Sequence, residues 1–396
     1  MLSKAETSST KFERDQIAWF SYLMIATYCY CSAALGPLMS FLRAELHLDY
    51  TLAAYHFGIW ALGVVSAGFF GDKCMKKFGK RRTVWTACVG LCIGIIVLIT
   101  ATSPVATIAG AFICGINGSV VSQTSCTIIA ERFADLRAIA ITEANIAASL
   151  FCCIAPLAIA TMSHTPLGWR AAMVLPIVLF FIYYLWADKG LQSLPEQQAL
   201  NTSGKEQVDG PLPRTYWLCF TLIFLNVASE WSIIYWSADF LEHTANLAKA
   251  DAAACVTSFL FAMVTGRALG SRLVRELNAQ TLLRLASIVA VAGFLIFWLN
   301  KLALICVIGL FIAGLGISNF YPLTLSLAIA NSNGQTSKAT SRMALSSGGS
   351  TLVAPLVLGL FAQHTGIFAA YGLIAVLLSL CSVMIFLPIW GAEQQK

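Results

Sequence analysis

Charged residues are scarce in this chain, since Asp, Glu, Lys and Arg together make up only 11% of its 396 residues. A soluble globular protein carries roughly 25% charged residues, so most of this surface must face something other than water. Residues 83–130 and 343–392 contain no Asp, Glu, Lys or Arg at all. Each stretch is about twice the ~20 residues that a helix needs to cross a bilayer. Each also has a turn signal near its middle, so we predict a membrane-spanning helical hairpin in each.

The chain also lacks the motifs of several functional classes. It has no Gly-x-x-x-x-Gly-Lys-Ser/Thr loop for nucleotide phosphates. Its thirteen cysteines show no zinc-ligand spacing, and all except Cys74 lie in apolar runs, where cysteine behaves as a small hydrophobe. We therefore predict no cofactor, no metal, no nucleic-acid partner and no enzymatic activity, and we do not expect ATP to be an energy source.

Charge clusters and Gly/Pro turns divide the apolar sequence into twelve predicted spans. The first apolar run is too long for the core of a signal peptide, so we count it as a span. The predicted spans are residues 17–42, 51–72, 83–101, 104–130, 138–161, 171–187, 215–240, 251–271, 281–299, 302–330, 343–363 and 366–390.

Twelve spans place both termini on one side of the membrane, and the Lys and Arg residues are concentrated on that side. That side holds 21 of the 25 Lys and Arg residues, because only Arg43, Arg170, Lys249 and Lys301 lie elsewhere. Cytoplasmic loops carry an excess of Lys and Arg. We therefore predict a multi-pass protein of the inner (plasma) membrane with cytoplasmic N- and C-termini.

The chain contains an internal repeat, which predicts two halves at residues 1–186 and 215–396, joined by a polar cytoplasmic linker at 187–214. Residues 71–73, 112–115 and 155–157 are similar to residues 270–272, 311–314 and 354–356, always at an offset of 199. Each match lies in equivalent spans of the two halves, so chance does not easily explain all three. Parallel repeats of six helices are one of the transporter architectures.

The loop after span two carries a family motif, because residues 68–82 read GFFGDKCMKKFGKRR. This resembles the Gly-x-x-x-Asp-Arg/Lys…Gly-Arg-Arg signature of the major facilitator superfamily, and the spans, repeat and linker extend the resemblance over the whole chain. The resemblance implies an all-α integral membrane fold of twelve transmembrane helices in two pseudo-symmetric six-helix bundles. It also implies that Asp72, Lys73 and Arg81 belong to a conformational latch at the cytoplasmic end.

The repeat extends this latch to a second pair of charges, since Glu143 in span five is equivalent to Arg342 in span eleven. In the family that the chain resembles, span two packs on span eleven and span five on span eight. We therefore predict two cytoplasmic pairs that hold the outward-open state, Asp72–Arg342 and Glu143–Arg267. Arg272 is the substitute partner if Arg267 points away.

Ionisable residues inside spans cost about 2.5–3.5 kcal/mol each on insertion scales, so each one is a functional hypothesis. Glu230 lies about fifteen residues into span seven, which is near mid-membrane at 1.5 Å per residue. We predict that it is the proton-coupling group, with His56 as the second candidate because imidazole titrates near neutral pH. The alternative for both is a structural side chain that is hydrogen-bonded between helices.

Aromatic and amide side chains in the spans are the candidates for binding a substrate. Such side chains suit an uncharged polar or sugar-like ligand, although they are equally common in helix packing. The predicted substrate-binding residues are Tyr28, Asn117, Gln123, Asn145, Asn226, Trp231, Trp236, Asn319, Tyr321 and Ser346.

These observations favour a monomeric secondary active transporter that moves a small polar organic solute by alternating access, coupled to protons, in the direction of uptake. The alternative is an efflux antiporter for drugs or secreted metabolites. Residues 152–158 read CCIAPLA, without the Gly-Pro-x-x-Gly-Gly motif by which drug–proton antiporters of that family resemble one another. A membrane-embedded enzyme or sensor is less favoured, because the sequence has no catalytic cluster and no soluble output domain.

The predicted topology is testable with two labels. Ser203 lies in the predicted linker, whereas His243 lies at the other end of span seven. Because one span separates them, we expect cysteine labelling or reporter fusions at these positions to report opposite sides of the membrane, with Ser203 cytoplasmic. Detection of both on the same side would exclude the twelve-span arrangement.

Overall fold

A computed structural model of the protein describes residues 14–133, 136–191, 211–274, 276–333 and 335–387. All regular secondary structure in these residues is helical. Twelve helical segments are long and apolar enough to cross a membrane, so the chain is an all-α, multi-pass membrane protein. The helices are α1 Gln16–Leu46, α2 Tyr50–Phe78, α3 Lys80–Thr100, α4 Pro104–Arg132, α5 Arg137–Ser163, α6 Arg170–Leu191, α7 Arg214–Thr244, α8 Lys249–Leu273, α9 Ala279–Leu299, α10 Ala303–Ile317, α11 Phe320–Ala330, α12 Thr336–Thr365 and α13 Ile367–Phe386.

Short polar residues mark several helix starts. The Asp15 and Asp49 carboxylates accept hydrogen bonds from backbone N–H groups in the first turns of α1 and α2, at 2.9 and 2.7 Å. Asn278 does the same for α9, at 2.7 Å. These bonds satisfy N–H groups that have no partner within the helix, which is a strong requirement where little water is present.

The helix starts repeat along the chain. In the first half, α2, α3, α4 and α5 begin at residues 50, 80, 104 and 137. In the second half, α8, α9, α10 and α12 begin at residues 249, 279, 303 and 336. Each start in the second set follows its counterpart by 199 residues, which is the offset found in the sequence. The predicted linker at 187–214 lies mostly outside the described residues, since 192–210 are not among them.

Span ten is broken into α10 and α11 at Ser318 and Asn319, whereas the sequence predicts one helix over 302–330. Pro322 lies in the first turn of α11 and has no N–H to donate to the carbonyl four residues earlier, which favours a break at this point. The hydroxyl of Ser318 instead bonds the carbonyl of Leu315 at 2.8 Å. Tyr321 lies in the first turn of α11, directly after this break.

The helices α2 and α5 of the first half contact α12 and α8 of the second, as the resemblance implies for spans two and eleven and spans five and eight. The third major contact between the halves is α1 against α7. We call the end of the molecule where α1 begins and α13 ends the terminal end, and the opposite end the loop end.

The two halves are closest at the loop end. A Cβ on Gly36 of α1 would lie 2.5 Å from the carbonyl oxygen of Ile234 in α7, so only glycine permits this approach. Along α2 and α12 the gap widens towards the terminal end. A Cβ on Gly359 would lie 2.4 Å from Ala54, whereas a Cβ on Gly348 would lie 4.0 Å from Val65. The molecule is therefore closed at the loop end and opens towards the terminal end.

Close glycine contacts also occur within the first half, and one of them gives a test of the packing. A Cβ on Gly115 of α4 would lie 2.1 Å from the backbone oxygen of Trp60. We expect Gly115→Ala to lower the free energy of unfolding by about 1–3 kcal/mol, because backbone must move to admit the methyl group. Thermal unfolding of the detergent-solubilised protein measures this change.

The matched control for this variant is Gly68→Ala in α2. A Cβ at Gly68 would meet no atom within 4 Å, so this variant should be neutral or slightly stabilising, as Ala is the better helix former by about 1 kcal/mol. Equal unfolding temperatures for the two variants would contradict the packing described here.

Candidate functional site

An ion pair closes the loop end. Arg43 near the end of α1 donates to the carboxylate of Asp239 near the end of α7, and the two side chains are only 14% and 5% exposed. The Arg43 guanidinium also lies 3.9 Å from the ring centroid of Tyr50. Among the ion pairs of the described residues, this one alone joins the two halves.

An aromatic layer lies beneath this pair. Phe57 of α2 stacks on Tyr235 of α7, with ring centroids 4.5 Å apart and planes 6° apart. Trp236 packs its edge against Phe57 at 5.1 Å, and its indole N–H donates to the carbonyl of Pro355 in α12 at 3.0 Å. Rings from both halves, and a hydrogen bond within the second half, therefore form the wall between the loop end and the space below it.

That space is a cavity of about 320 Å³ between the two halves. Its volume is near the lower limit of small-molecule sites, about 300–1,000 Å³, so it suits a small solute. No charged side chain occurs among its lining residues, and five of them are aromatic. The lining residues are Tyr28, Ser32, Trp60, Ala61, Val64, Val65, Trp231, Tyr235, Tyr321, Ala344, Ser347, Gly348 and Thr351.

Three of the predicted substrate-binding residues meet in this cavity, namely Tyr28, Trp231 and Tyr321. They come from α1, α7 and α11, so the fold brings together positions that are far apart in the chain. The sequence analysis missed Ser32 and Trp60. For Ser32 a signal existed, because the repeat offset of 199 makes it the equivalent of Trp231.

Three predicted amides pack against neighbouring helices and are absent from the cavity lining. Each would clash with a Cβ on the glycine that it faces: Asn117 with Gly90, Gln123 with Gly71, and Asn319 with Gly270. Asn319 also donates to the carbonyl oxygen of Gly266 at 2.8 Å. In this conformation these amides occupy the space that small residues leave at helix contacts.

The other predicted residues also lie outside the cavity lining. The Ser346 hydroxyl donates to the carbonyl of Phe220 at 2.8 Å and so ties α12 to α7. Trp236 belongs to the aromatic layer, and Asn145 is exposed on α5. Asn226 is buried, and its amide has no hydrogen-bond partner within the described structure.

Glu230 lies beside the cavity, directly before Trp231 in α7. Its carboxylate is 4.0 Å from the Arg267 guanidinium of α8, and the two side chains are 14% and 47% exposed. The 4.0 Å separation is longer than a charge-assisted hydrogen bond, so no direct hydrogen bond to Arg267 fixes the Glu230 carboxylate.

His56 is fully buried in α2, and both of its ring nitrogens have partners. Nδ1 lies 2.8 Å from the carbonyl of Leu52 and Nε2 lies 2.9 Å from the hydroxyl of Thr107. The hydrogen bond to Thr107 ties α2 to α4, and this arrangement suits a structural side chain better than one that exchanges protons with a cavity.

The predicted latch pairs are both absent from this conformation. Asp72 is 63% exposed and pairs with Lys76, one turn along its own helix, at 2.7 Å. Arg342 lies 5.3 Å from the ring centroid of Trp217. The separation of α2 and α12 at the terminal end explains why Asp72 and Arg342 do not meet.

The second latch pair is replaced by contacts within each half. Glu143 accepts two hydrogen bonds from Arg14, at 2.9 and 2.7 Å, and one from Tyr22 at 3.2 Å. Arg267 faces Glu230 instead of Glu143.

The remaining latch residues also have no partner across the halves within the described structure. Arg81 forms a bidentate pair with Asp188 of α6, at 2.8 and 2.6 Å, while Lys73 and Arg272 are exposed.

Comparison with known proteins agrees with this architecture. The family model described as Major Facilitator Superfamily matches residues 21–299 and 219–395. An uncharacterized MFS-type transporter of Yersinia pestis is 24% identical over 364 residues, which are 87% of this chain and 89% of the relative. An uncharacterized transporter of Sinorhizobium fredii is 26% identical over 155 residues, covering 39% of this chain and 41% of the relative.

Solved structures show the same fold at low sequence identity. A variant of the nucleoside transporter NupG has a TM-score of 0.77 at 11% identity, covering 93% of this chain and 99% of its own. A bacterial homolog to the human lysosomal transporter Spinster, inward-facing and occupied, has a TM-score of 0.75 at 13% identity, with 98% and 99% covered. The xylose transporter XylE from E. coli, partially occluded and inward open, has a TM-score of 0.69 at 13% identity, with 94% and 97% covered. The chain therefore belongs to the major facilitator superfamily and is a membrane transporter.

Proposed function

We propose that the protein is a proton-coupled secondary transporter that takes up a small, uncharged polar organic solute by alternating access. The observation that carries this proposal is the central cavity, which is lined by residues of both halves. The Arg43–Asp239 pair closes it at the loop end, and it lies where α2 and α12 diverge. An uncharged, aromatic lining suits an uncharged solute, because a buried charge without a partner is costly.

The structural neighbours support this proposal through the solutes that they transport. One transports nucleosides and another xylose, and both kinds of solute are small and polar. Two neighbours are described as inward-facing or inward open. If the terminal end is cytoplasmic, as the distribution of Lys and Arg predicts, the conformation described here is inward-open.

Glu230 is the proposed proton site. Burial favours the neutral form of a carboxyl group, whereas a nearby guanidinium favours the charged form. Glu230 experiences both influences, and its 4.0 Å separation from Arg267 means that a small movement of α8 against α7 changes the balance. His56 stays the weaker candidate, because its two nitrogens are already hydrogen-bonded.

The outward-open state of the same cycle is proposed to form the two latch pairs that are absent here. When the terminal end closes, Asp72 exchanges Lys76 for Arg342, and Glu143 exchanges Arg14 for Arg267. The movement of Arg267 from Glu230 to Glu143 removes the positive charge beside Glu230. Protonation of Glu230 and closure of the terminal end are thereby linked.

The Arg43–Asp239 pair gives a test of the closed loop end. We expect Asp239→Asn to shift the protein towards a state open at the loop end, because breaking a buried ion pair costs about 3–5 kcal/mol, enough for a shift of more than about a hundredfold. The measurement is the labelling rate of Thr351→Cys, a cavity position. A membrane-impermeant maleimide is added from the loop side, and native cysteine background is subtracted.

The matched control for this experiment is Glu45→Gln. Glu45 pairs with Arg170 at 2.5 Å at the same end of the molecule, but both residues belong to the first half. Its loss should leave the labelling rate unchanged. The proposal is contradicted if Asp239→Asn labels no faster than Glu45→Gln.

Glu230→Gln tests the proton site. The glutamine mimics the protonated carboxyl but cannot exchange a proton, so we expect it to abolish accumulation of solute against a gradient. Solute binding and the counterflow exchange of labelled for unlabelled solute should remain. A thermal-shift screen against a metabolite library identifies the solute, and uptake into proteoliposomes with and without a pH gradient measures the coupling.

The same vesicles decide the direction of transport. Accumulation driven by an inward proton gradient indicates symport, whereas release driven by that gradient indicates the alternative, an efflux antiporter. If Glu230→Gln accumulates solute at the wild-type rate, Glu230 is a packing residue and the proposed coupling is wrong.

A further inference from the structure

The ion pair that closes the loop end has a third member. Arg43 of α1 donates to one carboxylate oxygen of Asp239, Oδ1, whereas the Nδ1 atom of His243 lies 3.6 Å from the other oxygen, Oδ2. Asp239 Oδ2 is buried and accepts no hydrogen bond within the described residues. One carboxylate therefore faces two basic side chains, and imidazole is the kind that titrates near neutral pH.

The orientation of His243 suits the uptake of a proton from the loop side. Its Nδ1 lies 2.8 Å from the backbone oxygen of Asp239, so Nδ1 carries the hydrogen of the neutral ring and donates it there. The lone pair is then on Nε2, and 47% of the side chain is exposed. Protonation of Nε2 adds a positive charge beside the Asp239 carboxylate without breaking the hydrogen bond to the backbone.

The other charges at this end of α7 change the picture little. Besides Arg43, α7 and the helices packed around its end bring charged or titratable groups, namely Asp49, Tyr50, Glu242, Lys249, Asp251 and His364. Glu242 pairs with Lys249 at 3.2 Å, and Asp49 is bound to the first turn of its own helix. The Tyr50 ring lies 6.5 Å from that of His243 and is neutral near pH 7. Arg43 is therefore the charge that separation of the halves removes from the Asp239 carboxylate.

We propose that His243 is a second proton site, which opens the loop end when the solution on that side becomes acidic. In the closed conformation a protonated His243 shares the Asp239 carboxylate with Arg43, and the two positive charges repel each other. When the loop end opens, Arg43 leaves, but His243 stays because it lies one turn from Asp239 on the same helix. The proton therefore binds more strongly in the open conformation, and by linkage acid stabilises that conformation.

This regulation rests on the proposed function and adds a step to it. If the loop end faces the outside, as the distribution of Lys and Arg predicts, an acidic exterior opens the cavity to the side from which solute enters. His243 lies thirteen residues beyond Glu230 in α7, a rise of about 20 Å at 1.5 Å per residue. The two proton sites are therefore separate, and each is open to its own test.

The labelling assay of Thr351→Cys tests the proposal when the loop-side solution is taken from about pH 7.5 to about pH 5.5, the range in which imidazole titrates. Maleimide chemistry itself depends on pH, so each rate is divided by that of the added variant His243→Gln at the same pH. We expect this ratio to rise about two- to fivefold in acid, the range for interactions between partly exposed charges. A ratio that stays constant with pH would overturn the proposal.

A permanent charge gives a second, independent test. His243→Lys places a positive charge beside Asp239 at every pH, so we expect it to label about two- to fivefold faster than His243→Gln even at about pH 7.5. Equal rates for these two variants would contradict the proposal. The matched control is His164→Gln, an exposed histidine directly after α5, which should keep the response to acid. The unfolding temperature of each variant shows whether it folds.

The same assay on Glu230→Gln separates this inference from the proposed function. We expect acid to speed labelling of this variant too, because His243 is intact. If acid instead speeds labelling equally with and without His243→Gln, and Glu230→Gln removes the effect, the proton acts at Glu230 and only the present proposal is overturned. A loop end that responds to acid through His243, together with solute uptake that ignores the proton gradient, would overturn the proposed coupling alone.

Discussion

The ion pair between Arg43 and Asp239 holds the two halves together in the conformation described here. Lipid tails are as apolar as leucine, so burial of apolar surface gives little preference for contact between the halves, and close packing and polar contacts must supply it. The loop end has both, since glycines at positions 36 and 359 allow near-contact of helices and the buried pair adds a charge interaction. The terminal end has neither within the described residues, and the cavity opens in that direction.

Hydropathy was sufficient to predict the twelve spans, because each is a run of apolar residues that ends at charges or turns. It could not predict which face of a helix meets the cavity. Asn319 and Tyr321 are two residues apart, yet the first packs on glycines of α8 and the second lines the cavity. Span ten is also interrupted at Ser318 and Asn319, and this break has no counterpart in α4, which is continuous over Pro104–Arg132.

Charge partners were the least predictable feature, because they depend on conformation as well as on sequence. The repeat equates Glu143 with Arg342 and suggests partners across the halves, but the structure gives Glu143 a partner within its own half, Arg14. Under the proposed exchange Glu143 would have a partner in each conformation, so neither state would leave this acid unpaired. Such an exchange keeps two conformations within a few kcal/mol of each other, as alternating access requires.

Helix α7 carries three residues of the proposed mechanism. Glu230, Trp231 and Asp239 lie within ten residues of that helix, a rise of only about 14 Å at 1.5 Å per residue. Adjacent residues of a helix point about 100° apart, so Glu230 faces Arg267 of α8 while Trp231 lines the cavity. A proton and a solute can therefore act on the same helix without direct contact. In the proposed mechanism Asp239 closes the loop end from that same helix, so a rigid movement of α7 would couple proton, solute and gate.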